Sequence, residues 1–194
     1  MEIKIIKKEN HKKYIDAIAH LRITIFKEFP YLYEGDLKYE QDYLKKFIDT
    51  PDSLICIAFE DEKPIGALTA LPLKNEEPSI RQAFEKQGLS IEKTYYFSEI
   101  LILPEYRLLG LGYMMYRLSE NLVLQKNKYK QLSFAAIERE ENHPKKPENY
   151  ASPYSFFKRI GYTQNRELVC HIAWKEIGET EATPKALIFW TKEI

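Results

Sequence analysis

One stretch constrains this chain more than any other: an apolar strand-like run, Tyr95 to Leu103, stopped by Pro104 and followed by Arg107-Leu108-Leu109-Gly110-Leu111-Gly112 and a helix-patterned segment to Asn127. A strand, a glycine-bearing loop and a helix in that order form a crossover unit, and right-handedness of such units makes the next strand-like run, Gln131 to Ile137, parallel to the first. Glycines at a strand-to-helix junction let the backbone approach a phosphate, while unpaired N–H groups and the helix dipole supply positive field. Alone, the pair Gly110 and Gly112 also fits a plain tight turn.

The rest of the chain surrounds this unit. Met1 to Lys7 alternates as a strand, and His11 to Phe29 carries Ile15, Ile18, Leu21, Ile25 and Phe29 at helical spacing before Pro30. A tyrosine- and acid-rich segment, YLYEGDLKYEQDY, turns at Gly35 into a second helix ending near Thr50. Ser53–Glu60 and Pro64–Leu73 read as a hairpin, and Lys74–Thr94 as an insertion holding one helix. Beyond a polar loop from Glu138 to Asn149 come a helix at Ser152–Ile160, stopped by Gly161, and strands at Glu167–Trp174 and Lys185–Thr191. In the crossover helix the periodicity turns Met114, Met115, Leu118 and Leu122 inward. With 194 residues and no repeat, residues 1–194 are expected to form a single domain, an α/β (α+β) fold.

Composition removes several function classes. Lys plus Arg and Asp plus Glu are equal at 29 each, so no global field draws the chain to nucleic acid or an anionic membrane. No apolar run approaches the roughly 18–20 residues of a membrane span. Met1 to Lys8 does not resemble an export signal, and Cys56 and Cys170 sit in apolar strand-like runs as buried thiols, which fits a reducing cytoplasm. His11, His20 and His171 lack metal-ligand spacing, so no metal is expected; Ser98 and Ser119 lack the context of a nucleophile elbow.

The segment YYFSEILILPEYRLLGLGYMMYRL resembles the acyl-CoA-binding signature of the GNAT N-acetyltransferases, with strand, proline, aromatic residue, arginine and R-x-x-G-x-G loop in order. Downstream, SPYSFFKRIGY resembles the superfamily's second helix motif, and FPYLYEGDL, HPKKPENY and WKEIGE with the later FW resemble an uncharacterised subgroup with no assigned substrate. The resemblance implies a mixed, mostly antiparallel central sheet with one parallel pair at the CoA site and helices on both faces. It implies acetyl-CoA as cosubstrate, held by the backbone of Leu101, Ile102 and Leu103 along the pantetheine and by Arg107, Leu108, Leu109, Gly110, Leu111 and Gly112 around the pyrophosphate. Leu108 stands where the superfamily commonly has glycine, which a side chain tolerates if φ stays negative.

The implied activity is direct transfer of an acetyl group to an amine of a small molecule or peptide. It needs a base for the amine and a proton donor for the thiolate. Glu99, the one carboxylate inside the strand, is the candidate base or amine ligand, against exposure or a structural ion pair. The superfamily often places a tyrosine as acid four residues before the motif glycine, where this chain has Phe157. Tyr154 is the substitute donor, with Tyr150 or water as the other choices and aromatic packing as the alternative role. His143 is either a proton acceptor or a surface loop residue, and Asn149 either caps the following helix or bonds the cofactor. Tyr31, Tyr33 and Glu34, with Asp36, are expected to wall the acceptor site and attract an ammonium. The departures at Leu108 and Phe157 motivate a second reading, an acyl-CoA-binding sensor without turnover. Pairing into a homodimer stays open.

Overall fold

The computed structural model describes residues 1–194. In chain order the elements are β1 (Glu2–Ile5), α1 (His11–Phe26), α2 (Leu37–Leu44), α3 (Lys46–Asp49), β2 (Leu54–Glu60), β3 (Lys63–Pro72), α4 (Pro78–Lys86), β4 (Thr94–Ile102), α5 (Leu111–Gln125), β5 (Gln131–Ile137), α6 (Tyr154–Arg159), β6 (Thr163–Trp174) and β7 (Thr183–Glu193). The strands form one sheet ordered β1-β2-β3-β4-β5-β7-β6, and only β4 and β5 run parallel. The hairpin, the insertion helix and the parallel crossover thus stand as the sequence implies. No helix is long and apolar enough to cross a membrane.

The parallel pairing is short. Thr94, Tyr95 and Tyr96 register with Gln131, Leu132 and Ser133, and no further pair joins the two strands. From there β4 continues along β3 while β5 continues along β7, so a gap opens between their C-terminal ends.

A bulge at Ser98 falls at this divergence: Ala70 pairs with Phe97 and Thr69 with Glu99, leaving Ser98 without a partner. Strict alternation would put residues 95, 97, 99 and 101 on one face. The extra residue breaks it. Tyr95 and Phe97 pack in the core beneath α5, with Ile100 and Ile102 against it, whereas Leu101 belongs to the core beneath α1 and Glu99 reaches Arg22 of α1.

Three other expectations change. Helix α1 ends at Phe26, leaving Phe29 outside, because the residue before a proline is pushed out of the helical region. In α5, Met114 and Leu118 are exposed, and the inward face carries Met115, Tyr116, Ser119, Glu120 and Val123. The apolar pattern missed this rotation because Tyr116 and Glu120 are buried as a polar pair: the Tyr116 hydroxyl donates to Glu120 (3.0 Å), and Lys192 bonds the same carboxylate. Finally, β6 starts at Thr163, earlier than expected, through an irregular stretch between Asn165 and Val169.

Candidate active site

The loop after β4 is shaped by two left-handed residues. Gly110, with φ +81°, is the N-cap of α5, and Leu108 has φ +63°. The condition of a negative φ at Leu108 is therefore not met; the side chain stands wholly in solvent, at 103% relative exposure, so the strain is confined to its own backbone. Gly112 serves a different purpose. A Cβ there would sit 3.2 Å from Ile102 Cδ1, so its absence lets α5 start close against β4. The main-chain amides of Leu108 through Tyr113 donate to no carbonyl of the protein, and α5 hydrogen bonding begins with Met114 N to Gly110 O at 3.1 Å. A row of free amides at a helix N-terminus fits a pyrophosphate. Arg107 does not join it directly: its guanidinium turns back to Ile102 O (3.0 Å) and Glu28 (2.8 Å).

On the α1 side of the gap lies Glu99, 9% exposed. One oxygen accepts from Arg22, and the other from the Thr69 hydroxyl at 2.5 Å. Arg22 also bonds Glu40 of α2 and lies 4.2 Å from the ring centre of Tyr43. Burial works to lower the Arg22 pKa, but Glu99, Tyr43 and Glu40 together hold it above its ordinary value.

The tyrosine-rich segment crosses over the sheet as a strap. Glu34 N donates to Lys175 O (2.9 Å), Ile177 N to Leu32 O (2.8 Å), and Tyr33 forms a β-bridge with Glu176. Trp174 Nε1 and Arg139 Nε fix the carbonyls of Tyr31 (3.1 Å) and Pro30 (2.8 Å). The strap delivers Tyr31 inward. Burial pushes its phenol up to about 12, with Tyr150, Glu99 and Tyr154 adding to the rise and Arg22 opposing it, so these groups share one electrostatic neighbourhood. Burial likewise raises Tyr33, followed by Glu40. Glu34 instead forms an outer ion pair with Lys175 (3.0 Å), and Asp36 caps α2 by accepting from Tyr39 N (2.8 Å).

Across the gap, Tyr154 opens α6 with its ring 5.2 Å from that of Trp190; burial raises its phenol, with Glu138 and Tyr150 contributing. Tyr150 is raised by burial and meets Phe29 edge-on at 4.7 Å, while His143 packs on the same Phe29 at 5.4 Å. Phe157 fills an aromatic core with Phe134 at 4.5 Å and Trp190 at 5.2 Å. Asn149 is exposed and does not cap α6; Ser152 Oγ accepts from Tyr154 N instead (3.3 Å). The structure thus brings Glu99, Tyr31, Tyr150 and Tyr154 around the β4–β5 gap, with Leu101 to Gly112 along its rim. Sequence reasoning missed Arg22, a charge beside the apolar face of α1, and Glu40, which nothing separates from its polar neighbours Lys38, Gln41 and Asp42 on α2. No cluster of His, Cys, Asp and Glu side chains suited to a metal is present, and burial pushes both free thiols up to about 12. A cleft of about 320 Å³ lies away from the gap, beside Lys8, His11, Asp52 and Lys126.

Known structures share this architecture. Similar folds include a ribosomal-protein-alanine N-acetyltransferase from Brucella melitensis (TM-score 0.63, 11% identity, 100% of both chains covered) and the PaiA N-acetyltransferase from Thermoplasma acidophilum in complex with coenzyme A (0.55, 11%, 100% of both). A third is an aminoglycoside 6'-N-acetyltransferase complexed with coenzyme A (0.60, 13%, 100% of this chain and 97% of that one). No curated protein matches by sequence. The profile of the acetyltransferase (GNAT) family matches residues 17–162, most of the chain and every element of the site from α1 to α6, and the chain belongs to that family.

Proposed function

We propose that this acetyl-CoA-dependent N-acetyltransferase, acting as one catalytic domain, passes the acetyl group through the β4–β5 gap to a primary amine of a small molecule or peptide. The amides of Leu108 through Tyr113 would hold the pyrophosphate, and the open edge of β4 at Leu101, Ile102 and Leu103 would hold the pantetheine as an added strand. Acetyl-CoA supplies an activated thioester: a C–N bond forms at its carbonyl carbon, the C–S bond breaks, and the electron pair leaves on sulfur. Glu99 takes the proton that the amine sheds. Tyr154 gives one to the departing thiolate; its phenol is protonated at neutral pH and sits at the start of α6 against Trp190. Tyr31 and Tyr33 wall the acceptor side, and two buried free thiols support a cytoplasmic setting.

The observation that carries this reading is the conjunction of a parallel pair that parts after three registers with a row of unpaired amides at its mouth. Calorimetry with acetyl-CoA, then thiol release across a panel of primary amines, tests it. Binding with amine-dependent release is expected, and Glu99→Gln and Tyr154→Phe each should lower kcat about 10²-fold or more with acetyl-CoA affinity retained. Binding without release for any amine would refute turnover, and full activity in either variant would remove that residue from the mechanism.

A further inference from the structure

Arg22 and Glu40 lie outside the glycine loop and the second helix motif, yet both are buried at the acceptor side. Arg22 stands between two carboxylates, Nη1 on Glu99 and Nε on Glu40. Glu40 is 0% exposed, and its second oxygen has no hydrogen-bond partner in the protein. The formal count is two carboxylates against one guanidinium. Around them, Tyr43 from α2 lies on Arg22, Thr69 from β3 donates to Glu99, and the strap brings Tyr31 toward Glu99 and Tyr33 toward Glu40; none of these brings a second cation. Lys46, 3.8 Å from the ring centre of Tyr43, pairs with Glu76 at 2.7 Å.

A guanidinium paired one-to-one with a carboxylate leaves a neutral site, whereas one shared between two carboxylates leaves a net negative charge. That surplus attracts an ammonium into a site where burial strengthens the field. The guanidinium, fixed at both ends, also holds the carboxylate of Glu99 in one orientation.

We infer that Glu40 is a positioning residue that acts through Arg22, holding the Glu99 carboxylate in one orientation and biasing the site toward acceptors that arrive as ammonium ions. This rests on the acetyltransferase reading with Glu99 as base. Neither residue need touch the amine.

Glu40→Gln in the full chain is the test, since it removes one charge while keeping an oxygen for Arg22. Acetyl-CoA affinity, read by calorimetry, is expected within twofold of wild type. The value of kcat/KM for alkyl primary amines should fall about tenfold or more, and that for arylamines, which are neutral at pH 7, should fall less. Equal losses for both acceptor types overturn the inference and leave the enzyme reading intact. Absence of thiol release by the wild-type enzyme with every amine, despite acetyl-CoA binding, refutes the enzyme reading and the inference with it. If melting shows that Glu40→Gln does not fold, Arg22→Lys carries the test. It preserves the charge count but cannot fork between two carboxylates, so kcat should fall at least about tenfold while the preference for alkyl amines over arylamines is kept. Unchanged kcat there overturns the positioning role.

Discussion

The glycine loop offers a matched pair of substitutions with opposite expected signs. Leu108 and Gly110 both have positive φ, +63° and +81°, and at neither is a side chain packed: Leu108 is fully exposed, and a Cβ on Gly110 would meet nothing within 4 Å. Whatever these substitutions cost is therefore backbone energy. A left-handed conformation costs a non-glycine residue roughly 1–2 kcal/mol. Leu108→Gly removes that cost and gives back roughly 0.5–1 kcal/mol through the freer unfolded chain. The net is a gain of about 0.5–1 kcal/mol, or ~1–4 °C in Tm for a chain of this size. Gly110→Ala should lose a similar amount. Urea unfolding is the assay, with an unchanged m-value showing that the midpoint shift is one of stability. Because the free amides remain in place, Leu108→Gly should leave the acetyl-CoA Kd within about threefold, well under the roughly 1.4 kcal/mol of a tenfold change. Destabilisation by both variants, or a tenfold loss of affinity in Leu108→Gly, would refute this reasoning and assign the Leu108 side chain a role of its own.

Arg22→Met should be severe, about 3–5 kcal/mol by urea unfolding, because it leaves Glu40 and Glu99 buried without their shared cation; a loss under 1 kcal/mol would mean that solvent already reaches them. Phe157→Tyr should restore no activity and should cost about 1–3 kcal/mol, since a ring closed in by Phe134 and Trp190 gives a hydroxyl no partner; a rise in kcat would place that hydroxyl at the thiolate after all. Burial lowers the pKa of His11, against the opposing pull of the Phe47 and Ile6 carbonyls. The unfolded chain therefore takes up the proton first as pH falls, so this stability is present above the ordinary histidine value near 6.5 and is lost below it. Unfolding midpoints at pH 7.5 and 5.5 should differ in that direction, and by less in a His11→Gln variant.

The parts of the site that repeat a local pattern were legible in the sequence, and the parts that depend on distant contacts were not. Pro104, Gly110, Gly112 and Gly161 mark ends and turns whose reasons are local: Gly110 and Gly161 have positive φ, and Gly112 admits the neighbouring strand. The hairpin and the parallel crossover follow from periodicity and handedness. Glu99 could be picked out as a carboxylate in an apolar strand, but its environment could not. Its arginine comes from 77 residues earlier, on a helix where a lone charge among Ile18, Leu21 and Ile25 reads as a surface position. The one-residue bulge at Ser98, which no pattern in the strand announces, decides which face Glu99 takes. Had alternation continued, the carboxylate would have entered the core with Tyr95 and Phe97, where Met115 and Tyr116 offer no cation. The bulge therefore does two things: it falls where β4 leaves β5, so that the gap opens, and it turns a carboxylate from the α5 core to the arginine on α1. The R-x-x-G-x-G loop lies downstream of that residue, along the rim. Ser98, Arg22 and Glu40, which shape the surroundings of Glu99, all lie outside that loop, and for that reason a loop fit for a pyrophosphate was readable from residues 107–112 while the acceptor side became readable only in three dimensions.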